Sequence, residues 1–202
     1  MQILLATGNT HKLNELQRVL PVCLPNGEKI DYAILPNFHI TLPEETGTTL
    51  MENARLKATY AAAQSGLVSL SDDTGLEVDY LRGAPGVHTA RYAGEACDAK
   101  ANNQKLLQVL AGVPPEKRTA RFCTVACMAW PDGHVKFFEG VCNGHIALDY
   151  QGSNGFGYDP IFIVDELGKR FAELSTDEKN AVSHRGRAFQ KVADFLANNT
   201  SL

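Results

Sequence analysis

Gln2-Ile3-Leu4-Leu5-Ala6-Thr7 runs directly into Gly8-Asn9-Thr10, and Leu13, Leu16 and Leu20 follow at helical spacing. A short apolar run reads as a buried strand. Glycine and asparagine make the turn. The i, i+3, i+7 leucines give a helix one apolar face. A strand delivering its chain to a helix is the unit of an α/β fold, and the rest of the sequence extends that reading.

A second strand is predicted near Tyr32–Leu35, after a stretch rich in Pro, Gly and Asn. Thr49-Leu50-Met51-Glu52 has capping-box spacing, so a helix should start there, run to about Gln64 and close at Gly66. Leu67–Ser71 reads as a short strand that Asp72-Asp73-Thr74-Gly75 breaks, with another over Leu76–Leu81 and a loop at Gly83-Ala84-Pro85-Gly86. Residues 98–110 read as helix. Thr119–Trp130 and Val135–Ile146 read as strands joined through Pro131-Asp132-Gly133. An irregular loop, Gly152–Pro160, precedes a strand at Ile161–Val164. Ser175-Thr176-Asp177-Glu178 is another capping box, and Phe189, Val192, Ala193 and Leu196 share a face of the last helix. The order predicts an α/β fold around a mixed sheet, with the hairpin as an appended lobe and 1–202 as a single two-lobed domain.

The 202 residues suit one domain of ordinary size. Scaling of surface with mass has such a chain bury about 70% of its unfolded surface, enough for a core without disulfides. Lys plus Arg number 19 against 23 Asp plus Glu, a net charge of −4. That balance disfavours non-specific nucleic-acid binding, which needs a basic face, yet it permits a small anionic ligand. The five cysteines are odd in number and form no CxxC, as expected of reduced thiols in a cytoplasmic protein. No apolar run is long enough to span a membrane.

Four segments carry chemistry. In Thr7-Gly8-Asn9-Thr10-His11-Lys12, a glycine turn precedes a helix N-terminus, where open N–H groups favour an anion. Lys12 there opposes the helix dipole unless an anion joins it. Neither GxxxxGK[ST] nor GxGxxG occurs. Glu44-Glu45 and Asp72-Asp73 supply the oxygen ligands that Mg²⁺ prefers. Neighbours on an extended chain face opposite ways, so one member of each pair should point at a site. Gly155-Phe156-Gly157-Tyr158-Asp159 can present an aromatic ring for stacking on a base. Lys179 through Arg187 gathers several donors where two helices meet.

Six segments stand in order: TGNxxK at 7–12, EETGxTxxENAxxKA at 44–58, DDTGLEVDxLxGAPG at 72–86, ARYAG at 90–94, GFGYDPIF at 155–162 and EKNAxSHRGxA at 178–188. The chain thereby resembles the house-cleaning purine nucleoside triphosphate pyrophosphatases, which act on inosine and xanthosine triphosphates. The resemblance implies a long mixed sheet with flanking helices and two lobes around a central cleft. It also implies Mg²⁺ dependence and a homodimer. By it, Thr7, Gly8, Asn9, Thr10, His11 and Lys12 hold the triphosphate, and Glu44 and Asp73 bind metal. Asp73 also acts as base toward water, with Lys12 beside it in catalysis, and Thr74 contacts substrate. Phe156, Gly157, Tyr158, Asp159, Lys179, His184 and Arg185 hold the base. The edge chemistry of the purines further predicts a donor such as Arg185 aimed at C2. A pyrimidine-directed relative and a non-catalytic nucleotide sensor are the rival readings. The Ser183-His184-Arg185 cluster weighs against the first, and the retained acidic residues against the second.

Overall fold

The computed structural model describes residues 1–152 and 155–199. Ser153 and Asn154 of the expected irregular loop lie outside the described residues. The strands are β1 (Gln2–Leu5), β2 (Asp31–Ile34), β3 (Val68–Val78), β4 (Pro85–Gly86), β5 (Thr119–Ala129), β6 (Val135–Ile146), β7 (Phe162–Val164) and β8 (Lys169–Arg170). The helices are α1 (Thr10–Val19), α2 (Leu50–Ser65), α3 (Ala99–Val109), α4 (Thr176–Val182) and α5 (His184–Ala197). The fold is α/β, built on a long mixed sheet with strand order β2-β1-β3-β5-β6-β7-β8 and β4 paired to β3. β1 lies parallel to β2 and β3, whereas β3–β4, β6–β7 and β7–β8 are antiparallel.

Three expectations change. β3 is one continuous strand through Asp72-Asp73-Thr74-Gly75. Those residues have turn composition, but hydrogen bonding to neighbouring strands overrides local propensity. Pro85–Gly86, expected as loop, pairs with Leu76 and Glu77. The β5–β6 hairpin is no appended lobe, for both strands lie in the middle of the sheet.

The chain divides into two compact units: Met1–Asp73, Thr124–Gly140 and Arg185–Leu202 in the first, Thr74–Cys123 and Val141–His184 in the second. In the first unit β1 is buried on both faces, which is why it reads as an unbroken apolar run. Ile3 and Leu5 pack with Leu16 and Leu20 of α1 and with Phe189, Val192 and Leu196 of α5. Leu4 and Ala6 pack on the other side with Ala61 of α2. Thr49 caps α2 with the reciprocal Glu52 bonds its spacing predicts, and Gly66 ends it at φ 70°. In the second unit Leu76, Val78, Leu106, Leu110, Phe122, Phe162 and Phe171 form one core. None of the described helices is long and apolar enough to cross a membrane.

Candidate active site

The first unit gathers its charged side chains on β3. Leu70 belongs to the apolar core that α1 and α5 share, while the Ser71 hydroxyl donates to Ala54 O of α2 at 2.5 Å. Strand alternation then sends Asp72 to the α1 and α5 side and Asp73 to the α2 side.

Asp72 Oδ2 accepts from Lys12 Nζ at 2.8 Å and from Arg185 Nε at 3.3 Å. Arg185 Nη1 donates to Glu15 Oε2 at 2.6 Å. All three partners of this cluster other than Lys12 are buried: Glu15 is 7% exposed, Asp72 2% and Arg185 3%. Burial raises the Asp72 pKa, but Lys12, Arg185 and Lys57 together outweigh it and hold the carboxyl well below the usual range. Burial lowers the pKa of Lys12 despite Asp72, with Arg185 and Lys57 adding repulsion. Burial also opposes the charge on Arg185, and Asp72 and Glu15 overcome it.

On the other side Lys57 Nζ, one turn beyond Asn53 on α2, donates to Asp73 Oδ1 at 3.2 Å and to Glu45 Oε1 at 2.5 Å. Asn53 donates to Asp73 Oδ2 at 3.3 Å and accepts from the Gly47 N–H at 2.8 Å. A Cβ on Gly47 would stand 2.6 Å from Asn53 Oδ1, so only glycine lets the loop close onto α2. Burial lowers the Lys57 pKa, but Asp73, Glu45 and Asp72 outweigh it and raise the ammonium. Burial lifts the Asp73 pKa, with Lys57 opposing and Glu45 reinforcing.

The turn ahead of α1 is as the sequence suggests. Asn9 caps the helix, its side chain accepting from His11 N–H at 2.9 Å and Lys12 N–H at 3.3 Å. Thr7 Oγ1 accepts from Asn9 N–H. The N–H groups of Gly8 and Thr10 have no acceptor among the described residues. The anion that offsets Lys12 is supplied by the chain itself, as Asp72.

The second unit holds the aromatic group. Asp159 Oδ2 accepts from the Phe156 N–H at 2.7 Å and from Lys179 Nζ at 2.7 Å. Lys179 also lies over the Phe156 ring, 4.6 Å from its centroid, a cation–π contact. Gly155 is required here: at φ 78° an added Cβ would fall 2.0 Å from Asp159 Oδ2. Tyr158 donates its hydroxyl to Thr89 O at 2.9 Å. His184 stacks on Phe122, with centroids 4.5 Å apart and planes at 13°. Thr74 is partly buried on β3.

Two expectations shift. Glu44 is exposed and has no hydrogen bond or ion pair among the described residues, while Glu45 shares Lys57 with Asp73. Arg185, expected to reach a base edge, is committed to Glu15 and Asp72 in the first unit. Sequence reasoning did not single out Glu15, Asn53, Lys57 or Phe122, which the structure places against the expected residues. For Lys57 a signal existed: it shares the buried face of α2 with Asn53, Ala54, Ala58 and Ala61, where a cation needs a partner.

Two carboxylates on one ammonium form a donor set that suits Mg²⁺. That ion takes one or two protein carboxylates and completes its shell with water and phosphate. Among the described residues no group of three or more His, Cys, Asp or Glu is placed to hold a metal.

The model of the Ham1 family matches residues 3–195. A dITP/XTP pyrophosphatase of Elusimicrobium minutum is 56% identical over 194 residues, 96% of this chain and 98% of that one. Another, of Desulforamulus reducens, is 46% identical over 97% of this chain and 96% of its own. The solved structure of a HAM1 protein from Coxiella burnetii superposes with a TM-score of 0.87 at 39% identity, covering 97% of this chain and 98% of that one. The matched length and the identity together establish that this chain belongs to the Ham1 family.

Proposed function

We propose that this enzyme, a nucleoside triphosphate pyrophosphatase by family and relatives, hydrolyses inosine and xanthosine triphosphates, ribo and deoxy. The products are the monophosphate and pyrophosphate, and the reaction clears non-standard purines from the nucleotide pool. The observation that carries the reading is the Glu45–Lys57–Asp73 group. It joins two carboxylates of unlike burial to one ammonium, all within the segments on which the resemblance rests.

Phosphoryl chemistry needs positioning and charge neutralisation more than covalent help. Lys12 and the open Gly8 and Thr10 N–H groups take the phosphates. Asp73 orients the attacking water and accepts its proton. A carboxylate whose pKa is lifted by burial is a better base near neutral pH than an exposed one. Asp73 and Glu45 would hold Mg²⁺, with Glu45 replacing Glu44 in that role. The ion would supply positive charge to the phosphates. Lys57 keeps both carboxylates in place.

The base falls to Phe156, Asp159, Lys179 and His184. Hypoxanthine and xanthine present an acceptor at O6 where adenine presents an amino donor. The ammonium of Lys179 lies beside the Phe156 ring on which a base would stack. The resemblance also carries a homodimer, while the acidic charge balance and the odd cysteine count favour a cytoplasmic enzyme acting on a small molecule and not on nucleic acid or a membrane. The test is a nucleotide panel assayed for pyrophosphate with and without Mg²⁺. Inosine and xanthosine triphosphates should far outpace ATP and GTP, and chelator should abolish turnover. Release of inorganic phosphate as the primary product, or equal rates on GTP and inosine triphosphate, would overturn the reading.

A further inference from the structure

α3 lies in the stretch that carries no motif, yet it places two buried asparagines side by side, Asn102 at 3% and Asn103 at 1% exposure. Asn102 Nδ2 donates to Ala90 O at 2.7 Å, and its Oδ1 accepts from the Ala93 N–H at 2.6 Å. Asn103 Nδ2 donates to Ala99 O and to Gly157 O, both at 2.7 Å. With both amide hydrogens facing carbonyl oxygens, the orientation of the Asn103 amide is fixed, because the reverse would set oxygen against oxygen. Its Oδ1 is left buried with no hydrogen-bond partner among the described residues.

The carbonyl that Asn103 holds is the middle of a tight turn. Asp159 N–H bonds to Phe156 O at 3.3 Å, so Gly157 and Tyr158 are the central residues. Gly157 has φ 62° and Tyr158 is not in the positive-φ region, the pattern of a type II′ turn. Rotating the Gly157–Tyr158 peptide about its ends would convert the turn to type I′. In a trans peptide the C=O and N–H point in opposite directions. Holding the Gly157 carbonyl therefore fixes where the Tyr158 N–H points, and that N–H has no acceptor among the described residues.

Resting on the proposed function, we infer that Asn103 is a positioning residue for base recognition. It locks the Gly157–Tyr158 peptide so that the Phe156 ring and the Tyr158 N–H are presented together to a purine carrying an acceptor edge. It touches no reacting atom, so its loss changes binding and selectivity and spares the chemical step.

The experiment compares wild type with Asn103→Leu, which keeps size and removes the donors, and with Asn103→Ala as a second variant should the first fold poorly. Pyrophosphate release is measured on inosine triphosphate and ATP, with thermal midpoints recorded in the absence of nucleotide. The expected result is a KM for inosine triphosphate about 10-fold higher, kcat within about 3-fold of wild type, and a narrower kcat/KM gap to ATP. A purely structural role predicts the opposite split, in which kcat falls with the active fraction while KM and the gap hold. That outcome overturns the inference, as does a variant indistinguishable from wild type. Wild-type protein inactive on inosine and xanthosine triphosphates would overturn the underlying reading, and this inference with it.

Discussion

The two units hold buried charge in different ways. In the first, three cations are matched by carboxylates from separate elements: Lys12 and Arg185 meet Asp72, and Lys57 meets Glu45 and Asp73. In the second, the Lys179–Asp159 pair sits against aromatic rings, with Phe156 and Phe171 at 4.6 and 5.4 Å from the ammonium. The buried Arg118 and Arg170 donate there to backbone carbonyls, and Arg170 also meets Asp149. A multi-partner ionic cluster fixes positions of charge and suits phosphates and a metal. An ion pair walled by rings leaves flat apolar surface and suits a base. The contrast extends to two adjacent residues. Asp72 is held ionised by its neighbours, whereas Asp73 is pushed toward its neutral form. On the proposed reading, one carboxylate serves the fold and the other the reaction.

The largest expected effect breaks that division at Asp72. Asp72→Asn leaves Lys12 and Arg185 buried without their shared counter-ion. Removing one partner of a buried pair costs about 3–5 kcal/mol. At roughly 2–4 °C per kcal/mol for a chain of this size, the thermal midpoint should fall by about 10 °C or more. A midpoint within 2 °C of wild type would show that the cluster contributes little and that Asp72 belongs with the reactive group.

Asp73→Asn should do the reverse. Its folded environment already disfavours the charge, so the amide costs little stability. If Asp73 is the base and a metal ligand, as proposed, kcat should fall by roughly 10²-fold or more. The two variants thus cross: one loses its midpoint, the other its turnover. If both lose turnover equally with unchanged midpoints, the alternation along β3 does not separate their roles.

In the second unit, Phe156→Leu removes the stacking surface and the cation–π partner of Lys179. Stacking contributes about 1–3 kcal/mol per base, so KM for inosine triphosphate should rise by about 5- to 100-fold at near-constant kcat. A fall in kcat alone would place Phe156 with the chemistry and erase the contrast between ionic and aromatic halves.

Local signals told in the sequence. The strand–turn–helix at 2–20, both capping boxes and the hairpin turn needed only neighbours a few residues apart, and they lie where their spacing puts them. What stayed hidden depended on distant pairing. β3 crosses a turn-like Asp-Asp-Thr-Gly because its neighbours in the sheet satisfy the backbone, and nothing local announces that. Glu15 reads as an ordinary helix residue until Arg185, 170 positions away, is placed against it. Glu44 and Glu45 differ only in which one meets Lys57, a fact of the α2 packing. Nothing local marks Asn103 within the helix read over 98–110, because the carbonyl it holds lies 54 residues on.

The smallest effect sharpens the comparison at its edge. Thr49 caps α2, the helix that carries Asn53 and Lys57, and its side chain accepts from the Glu52 N–H at 3.1 Å. Thr49→Ala removes that bond, at a cost of about 1 kcal/mol, so the midpoint should drop by roughly 2–4 °C. The loop bearing Glu45 has two other anchors that the change leaves alone. Glu52 Oε2 still accepts from the Thr48 N–H at 2.7 Å, and Asn53 Oδ1 still accepts from the Gly47 N–H at 2.8 Å. If those anchors set the Glu45 carboxylate, turnover stays within about 2-fold of wild type while stability falls. If the helix cap itself sets it, turnover falls together with the midpoint, and Asn53 loses its place as the residue that joins the loop to Asp73.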